Sequence, residues 1–228
     1  RDNLGDWSSD VCSSDLSIGL SGQVTNALDE LGLYELVYNA GHVFPHDSGA
    51  ATMRDSTGRI LSTLPKPANL DAKEGVAIYR PTLIDLMAKV AVDLGVKIIL
   101  GTTFTQIDNS PNGVTVSFTT GEQRTYDVLL GADGIASATR DVLFPDGPKP
   151  TYAGQWSIRW MAPGPPVEPE SWYMNSVGRL GFYSLPEGFV YVPSVFNIPE
   201  NKRMSNEDLY EMFSSLLDSM TAPAIVEL

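Results

Sequence analysis

The chain has 228 residues, a length that allows one or two domains with a well-buried core, and its composition (43% hydrophobic, 19% charged) is that of a globular protein. No apolar run approaches the roughly 18 residues of a membrane span, and no charged-then-apolar leader opens the chain, so a cytoplasmic protein is expected. The net charge of -13 argues against a nucleic-acid partner, and a single cysteine, Cys12, excludes an intrachain disulfide framework or a cysteine-based metal cluster.

Asp6–Leu16 (DWSSDVCSSDL) has neither helical nor strand period and repeats Ser-Ser-Asp. It resembles the in-frame translation of a common sequencing-library adapter. Residues 1–16 are therefore expected to be foreign to the fold, and Cys12 with them.

From Ser17 the pattern becomes protein-like. Val24, Ala27, Leu28 and Leu31, then Leu33, Leu36 and Val37, predict two short helices broken at Gly32. His42 and His46 are four apart, but Gly41 and Pro45 argue against a helix there, and no metal site is expected. Ala51–Leu64 reads as a hairpin turning at Ser56-Thr57-Gly58, and Lys66–Glu74 as a loop. Pro81–Leu94 is the clearest helix, with Leu83, Leu86, Met87, Val90, Ala91 and Leu94 at helical spacing. Val96–Leu100 is expected to be a short apolar strand, and Phe104–Ile107 and Val114–Phe118 two alternating strands around a turn at Asn109–Gly113. Tyr126–Leu130, apolar but for Asp127, has the pattern of a buried strand feeding the tight loop that starts at Gly131. Ser137–Phe144 then predicts a short helix stopped by Pro145. Past Pro148 and Pro150 the strand candidates Gln155–Met161, Trp172–Asn175, Leu180–Ser184 and Phe189–Val195 suggest an antiparallel sheet, closed by a helix over Ser205–Met220 with Ser205 as its N-cap.

Gly131-Ala132-Asp133-Gly134 carries the chemistry. Glycines at the carboxyl end of a strand let backbone approach a bulky ligand, and Arg140 on the following helix can pair with phosphate or brace Asp133. Taken alone, Gly-Ala-Asp-Gly reads more readily as a glycine-rich turn with a surface arginine. The longer string Asp127–Pro145 (DVLLGADGIASATRDVLFP) resembles the second FAD motif of the FAD-dependent aromatic hydroxylases, the para-hydroxybenzoate-hydroxylase-like class A flavin monooxygenases. Ile78-Tyr79-Arg80-Pro81-Thr82-Leu83 is similar to that family's arginine segment at a helix start beside the cofactor. Gly19–Leu33 is similar to its helix after the ribose-binding acid.

The resemblance implies an α/β fold: a partial Rossmann-like, glutathione-reductase-type FAD-binding domain over 17–150, interleaved with an antiparallel-sheet substrate domain over 151–228 that the 51–64 hairpin joins. It implies FAD as cofactor, NAD(P)H as co-substrate, and hydroxylation of a small aromatic molecule through a flavin hydroperoxide. Gly131, Asp133, Gly134, Arg140 and Arg80 would bind FAD. Trp156, Arg159 and Tyr183, with Trp160, Tyr173 and Phe182, are expected on an aromatic face toward the substrate. No nucleophile or general base stands out, so no catalytic side chain is assigned. The family's opening Gly-x-Gly-x-x-Gly loop and its later Gly-Asp pair are not in this sequence, so the chain is expected to be a fragment that binds FAD poorly or not at all. A related flavoprotein with other chemistry, a halogenase or reductase, or a non-catalytic α/β fragment, is the alternative.

Overall fold

The structure, a computed structural model, describes residues 17–44, 51–63, 73–165, 171–198 and 204–226. Residues 1–16, and with them Cys12, lie outside the described residues, as do His46 and residues 66–72 of the segment expected as a loop. Two compact units emerge, one made of Arg1–Val96 with Gly154–Leu228 and the other of Lys97–Ala153.

The first part of the larger unit runs β1 (Ser17–Leu20), α1 (Gln23–Glu30), α2 (Tyr34–Ala40), β2 (His42–Phe44), β3 (Thr52–Asp55), β4 (Ile60–Thr63), β5 (Gly75–Tyr79) and α3 (Arg80–Asp93). The two predicted helices form and break at Gly32, whose φ of 70° suits glycine. β5 is the centre of a three-stranded antiparallel sheet in the order β1-β5-β2, and sequence reading missed it along with β1. Its Val76 and Ile78 are wholly buried with Leu20, Leu28, Leu33, Tyr34 and Val37, and Leu83, Leu86 and Val90 of α3 pack against that cluster. Met87 and Leu94, also on the predicted apolar stripe, stay exposed. Gly41 allows β2 to close on this core, since a Cβ there would lie 2.2 Å from Val76 Cγ1.

The smaller unit holds β6 (Phe104–Ser110), β7 (Gly113–Phe118), β8 (Gln123–Tyr126) and α4 (Ala138–Leu143). The three strands form one antiparallel meander, β6-β7-β8. Two expectations fail here. Residues 96–100 form no strand, with Ile98, Ile99 and Leu100 exposed. Residues 127–130 continue past β8 without pairing, and Val128 and Leu130 are 69% and 85% exposed. An apolar run becomes a buried strand only when neighbours supply hydrogen bonds on both edges and cover both faces. Among the described residues no strand pairs with either run.

The chain then returns to the larger unit through β9 (Gln155–Pro163), β10 (Ser171–Met174), β11 (Gly178–Leu185), β12 (Phe189–Asn197), α5 (Asn206–Asp218) and α6 (Pro223–Val226). All four predicted strands form, within a six-stranded sheet ordered β4-β3-β10-β11-β12-β9. The β3–β4 hairpin enters it through a parallel pairing of β3 with β10, the sheet's one departure from antiparallel pairing. Buried Thr52 and Ser171 hydroxyls meet across that seam at 2.9 Å. α5 starts in a capping box: Ser205 Oγ accepts from the Asp208 amide, and the Asp208 carboxylate accepts from the Ser205 amide. Phe213 and Leu216 of α5 pack on one face of the sheet against Tyr173, Leu180, Phe182, Val190, Val192 and Phe196. Trp160 stacks on Phe213 with centroids 4.6 Å apart. The α/β class with an interleaved, mainly antiparallel sheet is thus realised.

Candidate functional site

In the smaller unit, the backbone over 131–136 is an exposed loop that ends at the N-cap of α4. Its shape comes from Asp133. One carboxylate oxygen accepts from Ser137 Oγ at 2.5 Å, and the other from the Thr139 amide at 2.9 Å and Thr139 Oγ1 at 3.0 Å. Ser137 in turn accepts from the Arg140 amide at 2.9 Å, as an N-cap serine does. The Ser137 hydroxyl first, and then the Thr139 amide, hold the Asp133 carboxyl down from 3.8 to about 2. Asp133 therefore stays ionised and spends its acceptors inside the loop.

The two glycines have different reasons to be glycine. A Cβ on Gly131 would sit 2.6 Å from Thr139 Cγ2, so close packing on α4 excludes any side chain. Gly134 has a φ of 77° with open space where its Cβ would point, so the backbone itself presents an unobstructed surface. Arg140 donates from Nη2 to the Ile135 carbonyl at 2.8 Å, bracing the loop from the helix side, while its buried Nε has no acceptor among the described residues. Gly131, Asp133, Gly134 and Arg140 therefore form one cluster.

Arg80 belongs to the larger unit. It is the first residue of α3, which follows directly on β5, and Tyr79 is an extended N-cap (φ -61°, ψ 130°) that supplies no side-chain acceptor to the first turn. Pro81 fits that turn because the missing amide would have had no helical partner. Tyr79 donates from its hydroxyl to the Pro186 carbonyl at 3.5 Å. Burial, and then the charge of Glu187, push the Tyr79 phenol up from its usual value.

The six-stranded sheet divides the aromatic candidates between its faces. Trp156 is in register with Phe196, and Trp160 with Val192, so both turn toward α5 together with Tyr173 and Phe182. Arg159 and Tyr183 point the other way. The expectation of one shared face is corrected accordingly: side chains alternate along a strand, so Trp156 and Arg159, three apart on β9, cannot lie on the same side.

The face away from α5 carries residues that sequence reading missed. Trp172 Nε1 donates to Tyr183 Oη at 2.8 Å, with the rings edge to face at 6.3 Å. The Tyr183 and Tyr191 rings lie 6.2 Å apart, and Arg159 Nη1 donates to Tyr191 Oη at 2.9 Å. The Arg179 guanidinium lies 5.8 Å from the Trp172 ring centroid. An aromatic strip with a cation at each end thus crosses β9, β12, β11 and β10. Alternation in Trp172-Tyr173 and in Arg179-Leu180-Gly181-Phe182-Tyr183 was the available signal, but it needed the register to become a site.

The chain combines an α/β fold, a glycine-rich loop leading into a helix and a mainly antiparallel sheet bearing aromatic side chains, features expected of a flavoprotein. Comparison with known proteins agrees: residues 31–224 match the family of flavin containing amine oxidoreductases, and the chain belongs to that family. The FAD-dependent monooxygenase paxM of Penicillium paxilli is 32% identical over 127 residues, covering 54% of this chain and 25% of that protein. Among solved structures, Klebsiella pneumoniae HpxO complexed with FAD and uric acid superposes with a TM-score of 0.74 at 18% identity, covering 92% of this chain and 54% of that one. A salicylate hydroxylase substrate complex superposes at 0.67 and 18% identity, covering 89% and 57%. The flavin-dependent relationship read from Asp127–Arg140 is therefore met, and the fold is that of these enzymes. The chain spans about half the length of these solved structures and a quarter of paxM.

The loop fits a flavin dinucleotide in two respects, the open side at Gly134 and the orphaned Nε of Arg140. Asp133 fits as the residue that shapes the loop, since its carboxylate is occupied within it. No helix of the described residues is long and apolar enough to cross a membrane.

Proposed function

We propose that this chain is the part of an FAD-dependent, NAD(P)H-using monooxygenase that holds its second flavin motif and its substrate sheet, and that the enzyme hydroxylates a small aromatic molecule. The observation that carries the reading is the loop built on Asp133, in which a family-specific string folds into a preorganised exposed turn. When bound, FAD supplies the redox chemistry that joins NAD(P)H oxidation to oxygen transfer. Gly134 offers backbone without a side chain, and Arg140 offers a guanidinium donor suited to phosphate oxygens; Arg80 is assigned to the cofactor on the family resemblance alone. Asp133, Ser137 and Thr139 keep the loop in one shape before the cofactor arrives, which lowers the ordering cost of binding. Arg159 and Tyr183 belong to the substrate face, joined by Trp172 and Arg179, while Tyr191 is buried in a cluster with Ala77 and Leu185. Trp156 serves the sheet's packing on the α5 side instead.

The test is made on the natural protein that carries this chain, because the chain by itself is expected to bind FAD poorly or not at all. FAD is titrated in with flavin fluorescence as the readout, and bound flavin is then mixed anaerobically with NADH and with NADPH. Bleaching by either nucleotide, followed by oxygen-dependent recovery and incorporation of labelled oxygen into an aromatic acid, is expected. Flavin binding and bleaching without oxygen incorporation would favour a flavoprotein reductase. Failure to bind flavin at all would overturn the reading for this chain.

A further inference from the structure

We infer that Asn112-Gly113, at the tip of the β6–β7 hairpin, is a modification site, where Asn112 loses its amide nitrogen and passes to isoaspartate without an enzyme. The sequence holds three pairs in which asparagine or aspartate precedes glycine: Asn112-Gly113, Asp133-Gly134 and Asp146-Gly147. Asparagine is thermally labile, and a glycine after it leaves the next amide nitrogen uncovered by a side chain. The structure separates the three pairs. Asn112 is exposed; its backbone amide donates to Ser110 Oγ at 3.3 Å, and among the described residues nothing bonds its carboxamide. The Asp133 carboxylate is committed to Ser137 and Thr139 and stays ionised, so it offers no leaving group. The Gly147 amide, the nucleophile at the third pair, donates to the Phe144 carbonyl at 2.9 Å. Of the three, Asn112 alone joins an unbonded, neutral carboxamide to a following glycine at an exposed loop tip.

In the step, the Gly113 nitrogen attacks Asn112 Cγ. The new N–Cγ bond closes a cyclic imide, the Cγ–Nδ2 bond breaks, and Nδ2 leaves as ammonia with the Gly113 amide proton. Water then opens the imide. Cleavage at Cγ gives aspartate; cleavage at the main-chain carbonyl gives isoaspartate, whose backbone runs through Cγ and is longer by a carbon. The attack needs the closing pair Ser110–Gly113 to part, which costs little at a hairpin tip. The isoaspartyl product does not fit back into the same turn. Gly113 stands against the end of β8, where a Cβ on it would lie 2.7 Å from the Tyr126 carbonyl oxygen and 3.2 Å from Thr125 Cγ2, so a backbone lengthened at its neighbour has to shift it. Ser110 Oγ accepts from the Asn112 amide and donates to the Gly113 carbonyl at 3.0 Å, and the added carbon separates those two contacts. The Ser110–Gly113 and Asn109–Val114 pairs then leave register, at the strand that also carries β8.

The experiment ages the natural protein that carries this chain in warm, mildly alkaline buffer, with an Asn112→Gln variant alongside. Peptide mapping by mass reads the change of amide to acid, and an isoaspartyl methyltransferase with labelled S-adenosylmethionine reads the isomer. Conversion is expected first at Asn112, ahead of Asn109 and Asn175. Methyl label is expected in the same peptide and is lost from it in Asn112→Gln, whose longer side chain closes the imide ring far more slowly. Hydrogen exchange over residues 107–110 and 113–116 should quicken about two- to tenfold in the converted protein, the size of a lost hydrogen bond. Freshly purified Asn112→Asp, which adds the charge without the extra carbon, should exchange like the unaged protein. No conversion at Asn112, conversion no faster than at Asn109 or Asn175, or converted protein that exchanges like Asn112→Asp would each overturn the inference.

Discussion

Replacing Ser137 with alanine tests whether the Asp133 loop is preorganised. Ser137 makes two bonds: it caps α4 at the Arg140 amide and donates to Asp133. Loss of an N-cap serine costs about 1 kcal/mol. The bond to Asp133 adds about 0.5 kcal/mol, a low value because that carboxylate is exposed and water replaces the lost donor. The expected loss is about 1.5 kcal/mol, roughly tenfold in the local equilibrium. α4 has only six residues, too few to hold itself, so the loss should appear as opening of the loop and helix together. Hydrogen exchange at the Arg140 and Asp141 amides reads this locally, and urea unfolding reads it for the unit. An independent readout is the titration of Asp133. Its folded value is depressed, so the stability it contributes is full above 3.8 and is lost as the pH falls toward about 2. Ser137 is the largest cause of the depression, so the alanine variant should titrate closer to 3.8 and lose less stability across that acid window. Unchanged exchange and an unchanged Asp133 titration would refute the argument that the acid is committed to the loop.

Gly131→Ala should destabilise the smaller unit by about 1–3 kcal/mol through overpacking against Thr139, with partial relief in the Thr139→Ser background, which removes the nearest methyl; urea midpoints check both. Leu216→Ala, at a position with no exposure in the α5 interface, should cost about 2–5 kcal/mol in the same assay and change the emission of nearby Trp160, which packs on the same cluster. Glu187 has a φ of 64° in the turn between β11 and β12, so Glu187→Asn should stabilise by about 0.5–1 kcal/mol in thermal unfolding, because asparagine tolerates the left-handed conformation better.

Elements whose own residues satisfy them were legible in the sequence. α3 could be read from its stripe and Pro81, and α5 from its capping serine. The hairpin of β3 and β4 could be read from its turn residues. In each case the signal and its physical cause lie within a dozen residues. β5 was passed over because it falls between the expected loop, which ends at Glu74, and the arginine segment, which begins at Ile78, although Val76, Ala77 and Ile78 are the most buried run of their sheet. The division of the aromatic residues was half legible. The odd spacing of Trp156 and Arg159 already forbade a common face on one strand. Placing Trp172 beside Tyr183, and Arg159 beside Tyr191, required a register across four strands that no single segment encodes.

Residues 96–100 and 127–130 show the opposite limit. Their apolar runs describe what they would do with neighbours on both edges, and periodicity cannot say whether those neighbours exist. The Asp133 loop forms even though the run leading into it is unpaired. Its geometry is set by bonds among residues 131–140: the capped helix, the carboxylate spent on Ser137 and Thr139, and the close approach of Gly131 to Thr139. A motif that closes on its own hydrogen bonds can be recognised from a short string and can keep its shape where the surrounding sheet does not. That locality is why the single string Asp127–Pro145 identified the family more securely than the rest of the chain identified the sheet.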